Sequence, residues 1–305
     1  MTTVHVFGGT GFLGLRLVRR LAGESAAVRV VVRHAELARN VLHTAGLEQV
    51  TVISADVCDR ASVAAAMTGA DAVVNAVSAY VERGNMTFEA VHIQGAAAVA
   101  REAAAAGVTR LVLVSGLGAD ASSTSSYIRA RGLGELAVLR AFPGATIVRP
   151  SAMFGPGDAL FGTVAELARL LPALPLIGGS TRLQPVYVED VAEAISRVLA
   201  DPATAGRTYE LGGPGVHTLR ELVTITLCLI DRRRLLVPVP FPIARALARL
   251  LELLPNPPLT TGQVDLLLAD NVVSGKLPGF QELHVEPRAV EEIVPAYIGR
   301  SHAPD

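Results

Sequence analysis

The chain of 305 residues has no tryptophan, two cysteines and an aromatic content of only 4%. Charged residues are also sparse, at 18% against 50% hydrophobic, which excludes disorder for most of the chain and allows a large core. There is no excess of either sign: 27 basic residues face 28 acidic ones. That balance leaves no footprint for a polyanion, so nucleic acid is not an expected partner. Lysine is nearly absent, since Lys276 is the only one and every other basic side chain in that total is arginine. The longest stretch without acidic or basic residues runs from Met1 to Leu15 and is too short and Gly-rich to span a bilayer. Membrane contact is therefore expected to be peripheral. With no signal-peptide or transit-peptide pattern before the first strand-like run, the chain reads as an unprocessed cytosolic product. Cys58 and Cys228 lack the paired spacing of a zinc site and read as small buried thiols of a reducing compartment.

Short β-branched runs alternate with Ala- and Leu-rich stretches through the first half. The runs at 4–7, 28–32, 51–54, 72–75, 111–115 and 146–148 predict strands buried on both faces. Helices are predicted at 12–22, 61–67, 88–106 and 127–142. Alternation of this kind predicts a doubly wound α/β fold with a parallel sheet. After Pro150 the pattern loosens. A strand at 184–188, a helix at 190–199 and a strand at 208–211 predict that residues 183–212 complete a Rossmann domain spanning 1–170. Residues 213–305 are expected to form a smaller, interleaved α-rich lobe. Thr218 and Glu221 have the spacing of a capping box that opens a helix reaching about residue 230. The following VPVPFP must be extended, because proline fixes φ and restrains the residue before it.

Gly8, Gly11 and Gly14 follow the first strand and open the first helix. They supply a tight turn, close approach of backbone to a pyrophosphate and close helix packing, with the helix N-terminus aimed at the anion. Thr10, Phe12 and Leu13 share that loop and join the candidate cofactor set. Asp56 and Val57 after the third strand would lie beside an adenine. Asn75 and Val77 after the fourth would flank phosphates and ribose, or are ordinary strand-end residues. Pro150 ends the sixth. Where an NAD-binding fold places a carboxylate, this chain has Arg33. A guanidinium can bind a 2′-phosphate bidentately, so NADP(H) is favoured over NAD(H); the alternative is a solvated loop arginine.

These residues resemble the extended and atypical short-chain dehydrogenase/reductase families, whose members carry Tyr-x-x-x-Lys after the fifth strand. Here the corresponding positions hold Tyr127 and Arg131. The resemblance implies that a lysine would hold ribose hydroxyls and lower the tyrosine pKa. Arginine keeps the charge but is bulkier. Leu117 stands where the family's assisting hydroxyl is expected, and Ser115 is left to face the cofactor or cap the strand. Tyr127 is thus either a cofactor-site or packing tyrosine, or a working acid/base.

The chain is more specifically similar to one atypical branch, the nucleotide-binding accessory subunits of respiratory complex I and their bacterial relatives. FGGTGFLG, NMTFEAVH, LVSGLGAD, ATIVRPSAMFGPGD, LPLIGG, LQPVYVEDVAEAI, TYELGGP and the tail ELLPNPPLTTGQVDLLLADNVV carry that resemblance. It implies NADPH held without turnover, the quinone-module subunits of complex I as partners, and a place in the bacterial cytoplasm against the inner membrane. The alternative is a reductase, epimerase or dehydratase of the extended type, with a link to ubiquinone biosynthesis. A scaffold without any ligand is disfavoured by the complete phosphate loop.

Between Arg232 and Leu251 there are five arginines and no acidic residue. Ile243, Leu247, Leu250, Leu251 and Leu254 fall on one helical face, with Arg245, Arg249 and Glu252 opposite. This helix predicts contact with an anionic bilayer surface or a partner, or else it caps the second lobe. His5 reads as a satisfied core residue and His92 as a neighbour of the nicotinamide position. No histidines have metal-ligand spacing, and no metal is assigned.

Overall fold

The computed structural model describes residues 2–24, 26–254 and 259–298. In chain order the first elements are β1 (Thr3–Phe7), α1 (Phe12–Gly23), β2 (Ala27–Val32), α2 (Ala35–Thr44), β3 (Thr51–Ser54), α3 (Arg60–Ala66) and β4 (Ala72–Asn75). A π-helical stretch, Glu89–Gly95, leads directly into α4 (Ala96–Ala105), followed by β5 (Arg110–Val114), α5 (Ser126–Ala141) and β6 (Thr146–Pro150). Next come β7 (Met153–Phe154), α6 (Ala159–Leu170), β8 (Ala173–Ile177), β9 (Arg182–Leu183) and β10 (Val186–Tyr187). Then α7 (Val188–Ala200), β11 (Thr208–Leu211), β12 (His217–Thr218), α8 (Leu219–Leu229), β13 (Leu235–Val239), α9 (Phe241–Leu251) and α10 (Thr261–Leu266) follow. The short helices α11 (Val290–Ile293) and α12 (Pro295–Ile298) close the described chain.

Seven strands form one sheet in the order β11-β6-β5-β4-β1-β2-β3, every pair parallel. The fold is the doubly wound α/β architecture that the alternation predicts. All four residues of β4 and four of the five in β1 are buried, as apolar strands covered on both faces must be. Strand order reverses direction between β1 and β4, and the crevice at their carboxyl ends is where such folds bind ligands.

The chain divides into two units, each assembled from three segments. Residues 1–150, 188–211 and 275–286 make the first, and residues 151–187, 212–274 and 287–305 the second. The first has a core of Phe7, Val73, Val91, Val99, Leu111 and Ile147 with their neighbours. The second is built around Phe154, Phe161, Leu174, Leu222 and Val294. In it β13 pairs with β8 in parallel, so VPVP is extended as its prolines require, but the expectation fails for the last two residues of the run: Phe241 and Pro242 open α9, where proline is tolerated in the first turn.

Local chemistry sets the helix starts. The Thr218–Glu221 capping box is formed in both directions, and Asp158 caps α6 by accepting the Phe161 N–H at 2.6 Å. Three expectations need correction. The helix expected at 88–106 begins as π-helix, and at its end Gly95 packs so closely that an added Cβ would stand 3.0 Å from the Ala90 carbonyl. The strand expected at 184–188 shrinks to β10, and Val188 already belongs to α7. Both cysteines are exposed rather than buried, Cys228 on the outer side of α8 and Cys58 in the turn after β3.

Candidate functional site

The crevice begins at the β1–α1 loop. Gly8 has φ +76°, and a Cβ there would stand 3.0 Å from the Ala76 carbonyl. Gly14 packs still closer: its Cβ would lie 2.1 Å from the Gly8 carbonyl, so loop and helix touch through backbone alone. Gly11 differs, because its Cβ would meet only the Gly8 carbonyl, at 3.3 Å. The protein itself does not crowd that position. Gly11 caps α1 with no side-chain hydrogen bond and no acidic residue in the first turn, so the helix presents open N–H groups. Thr10, Gly11, Phe12, Leu13 and Gly14 therefore frame a cradle into which a pyrophosphate fits.

On the adenine side, Arg33 follows β2, is exposed, and directs Nη1 at the Met86 sulfur. Asp56 spends its carboxylate on the Cys58 N–H at 2.9 Å, while its own N–H donates to Ser62 Oγ at 3.0 Å. Val57 is buried. Partial desolvation in the turn, with the Asp56 carboxylate beside it, pushes the exposed Cys58 thiol up from its usual range.

At the other end a cleft is lined by Asn75, Val77, His92, Ser115 and Arg131. Asn75 accepts the Val77 N–H at 3.2 Å. Ser115 follows β5 with its N–H on the Val148 carbonyl at 2.7 Å, while its buried Oγ has no protein partner. Pro150 accepts the Leu117 N–H at 3.1 Å, which turns the Leu117 side chain into a buried site. Tyr127 and Arg131, one turn apart on α5, meet in space. The guanidinium carbon sits 5.1 Å from the Tyr127 ring centre, Nη2 donates to Ser78 Oγ at 3.0 Å, and the buried Nε has no protein partner.

Two buried polar groups without protein partners, opening on one cleft, are what a dinucleotide's ribose end would satisfy. The residues present thus fit a bound nicotinamide dinucleotide, with Gly11 to Gly14 holding the phosphates and Ser115 with Arg131 facing the sugar.

Tyr127 is 4% exposed. Tyr80 stacks on it at 5.6 Å, Phe88 meets it edge-on at 5.3 Å and His92 at 5.6 Å. Burial pushes its phenol above the ordinary range, against the opposing pull of Arg131. His92 bridges to the Ala79 carbonyl at 3.0 Å, and burial with the nearby Arg131 charge lowers its pKa to about 4. Both titratable groups are thereby held neutral at pH 7. His5 is less satisfied than its sequence context predicts: Nδ1 lies 2.8 Å from the Ala66 carbonyl, but Nε2 has no partner.

Sequence reading missed Ser78, Tyr80 and Phe88, which come from the segment after β4, and Gly116. A Cβ on Gly116 would fall 2.2 Å from Arg131 Nη1, so this glycine makes room for the guanidinium. The signal was available in VSGLGAD, where a glycine follows Ser115.

Residues 8–159 match the NAD(P)H-binding family. Over 301 residues the chain is 39% identical to a mitochondrial NADH dehydrogenase [ubiquinone] 1 alpha subcomplex subunit 9 of Arabidopsis thaliana, covering 94% of this chain and 74% of that one. The chain belongs to the alpha subcomplex subunit 9 family. A second relative, named a ceramide reductase, from Caulobacter vibrioides, is 36% identical over 190 residues, covering 62% of this chain and 58% of its own. Among solved structures, a dTDP-glucose 4,6-dehydratase of Streptomyces venezuelae with NAD and TYD bound superposes with a TM-score of 0.75 at 22% identity, covering 97% and 96% of the two chains. At that identity the likeness is one of fold. Among the described residues no His, Cys, Asp or Glu cluster could hold a metal.

Tyr127 and Arg131 form a phenol–guanidinium pair. The bound cofactor would supply hydride chemistry. Proton exchange at Tyr127 Oη is opposed by the burial that raises its pKa.

Proposed function

We propose that the chain holds NADP(H), in preference to NAD(H), as a non-catalytic accessory subunit that stabilises an NADH:quinone oxidoreductase of the complex I type. The observation that carries this reading is the pairing of an open phosphate cradle with a buried, neutral Tyr127 whose basic neighbour is Arg131. The first half holds a dinucleotide; the second withholds proton transfer. Relatives bearing the name of a complex I subunit across nearly the whole chain support the partner, the subunits of the quinone module.

The location in this reading is supported by α9. Ala244 and Ala248 face inward against Val264, whereas Ile243, Leu247, Leu250 and Leu254 are exposed. Arg232, Arg233 and Arg249 are exposed near them in sequence, with no acidic residue between 232 and 251. Among the described residues no helix is long and apolar enough to cross a membrane. An apolar stripe flanked by arginines suits the surface of an anionic bilayer, here the inner membrane of a bacterial cell.

The test is calorimetric. NADPH should bind at least tenfold more tightly than NADH, since a charge-assisted contact at Arg33 is worth on the order of 1.5–3 kcal/mol, and Arg33→Asp should narrow or reverse the gap. Equal affinities would contradict it. The second reading, an NADP-dependent reductase of a quinone precursor or a lipid carbonyl, draws on the relative named a ceramide reductase. Steady NADPH oxidation with such a substrate, lost in Tyr127→Phe, would put that reading in front.

A further inference from the structure

Four side chains enclose the ring of Tyr127, and they differ in exposure. Phe88 and His92 meet it edge-on at 5.3 and 5.6 Å and are buried, while the Arg131 guanidinium carbon stands 5.1 Å from the ring centre. Tyr80 stacks on it at 5.6 Å with the two rings inclined by 28°, yet Tyr80 is itself 49% exposed. Tyr80 is thus the wall on the solvent side, and behind it Tyr127 is left 4% exposed. The phenol of Tyr127 also interacts with the side chains of Ser78 and Tyr80, so the ring that covers Tyr127 engages its hydroxyl as well.

The backbone that carries this wall is anchored on both sides and unbonded between. Ala79 is held by His92 Nε2, which lies 3.3 Å from its N–H nitrogen and 3.0 Å from its carbonyl. Beyond Val81, Arg83 and Met86 exchange backbone hydrogen bonds at 3.0 and 2.9 Å around Gly84, whose φ is +52°, and Glu82 Oε1 accepts the Phe88 N–H at 2.8 Å. Among the described residues, Tyr80 and Val81 make no backbone hydrogen bond. Side-chain contacts alone therefore hold the Tyr80 ring in place, on two residues that turn without breaking a backbone bond.

What Tyr80 offers Tyr127 is a flat ring with one oxygen at its edge. A free molecule of that kind presents the same stacking face and the same polar edge. We propose that Tyr80 is a hinged cover that fills, from within the chain, a subsite on Tyr127 for a planar ring bearing an oxygen at its edge, as in phenols and quinones. Such a ring reaches Tyr127 only when Tyr80 turns outward, and the closed cover keeps other compounds from the phenol. The inference rests on the non-catalytic reading above, to which it adds a cause.

The probe is 4-fluorophenol, followed by fluorine NMR in protein saturated with NADPH. Tyr80→Ala should admit it. The parent, whose own ring competes for the place, should bind it about tenfold more weakly or worse, as follows when the open state holds about a tenth of the molecules or fewer. Tyr80→Phe restores a ring and should close the site again. Nitration by tetranitromethane, mapped by peptide mass, reads the cover without a ligand: Tyr80 should be modified in the parent and Tyr127 spared, whereas Tyr127 should react in Tyr80→Ala. If Tyr80→Ala fails to fold, Tyr80→Ser takes its place, and the nitration pattern of the parent stands on its own. The proposal is refuted by equal affinity of the phenol for parent and Tyr80→Ala, by binding to neither, or by nitration of Tyr127 in the parent as fast as that of Tyr80. Steady NADPH oxidation by the parent would instead overturn the non-catalytic reading and leave both measurements of the cover standing.

Discussion

Two glycines three residues apart separate folding from binding. A methyl on Gly14 would press to 2.1 Å on the Gly8 carbonyl, a backbone atom that cannot step aside. A methyl on Gly11 meets that same carbonyl at 3.3 Å and otherwise projects into the cradle. Gly14→Ala should therefore lower the melting temperature by several degrees, as a strained core contact does. Gly11→Ala should melt almost as the parent does while losing tenfold or more in NADPH affinity. Thermal melts beside calorimetry decide it, and a Gly11→Ala protein with full affinity would show that no phosphate lies there. The glycine spacing and its position after β1 were legible in the sequence because they obey local backbone rules. The partners of Arg131 were not: Ser78 and Gly116 approach it from different loops, and only the folded sheet brings them together.

Among the elements, the π-helical stretch Glu89–Gly95 has a consequence for stability. It carries His92 into the space between α5 and residues 77–88, where the Gly134 position is so close that a Cβ would lie 2.0 Å from the His92 carbonyl. The imidazole, held neutral with a pKa of about 4 against an ordinary 6.5, must take up its proton in the unfolded chain first. Its contribution is intact above pH 6.5 and is lost as pH falls toward 4, to a limit on the order of 3 kcal/mol. His5, whose pKa is lowered chiefly by burial, acts in the same direction, so the informative quantity is a difference. Unfolding free energies between pH 7 and 4 should fall less steeply in His92→Gln than in the parent, and identical slopes would contradict the assignment. Helical periodicity predicted this segment as plain α-helix, since a π turn depends on what packs against it. Likewise, the chelation of Arg149 by Glu135, at 3.0 and 2.6 Å, ties α5 to β6 through residues fourteen apart that no local pattern links. The helix α2 was missed because only Ala38 and Leu42 on it are buried, too few to mark a face.

For the whole molecule, the exposed stripe of α9 is the feature that a monomer in water leaves unexplained. Periodicity showed the stripe; it could not show that the alanines rather than the leucines turn inward. Since Leu247 is 47% exposed, Leu247→Asp should leave melting and nucleotide binding intact. It should also weaken flotation with vesicles containing anionic lipid. Binding of the parent should decline with salt without vanishing, because charge attraction is screened and apolar burial is not. Collapse of the fold in Leu247→Asp would assign the stripe to the core instead. The central claim is that the cradle keeps a 2′-phosphorylated nicotinamide nucleotide as a resident part of the protein. Its most direct measurement is the mass and absorbance of the small molecules released when the purified protein is denatured. The account predicts NADP(H) in near-equimolar amount, and release of NAD(H), or of no nucleotide after purification in the presence of NADPH, would contradict it.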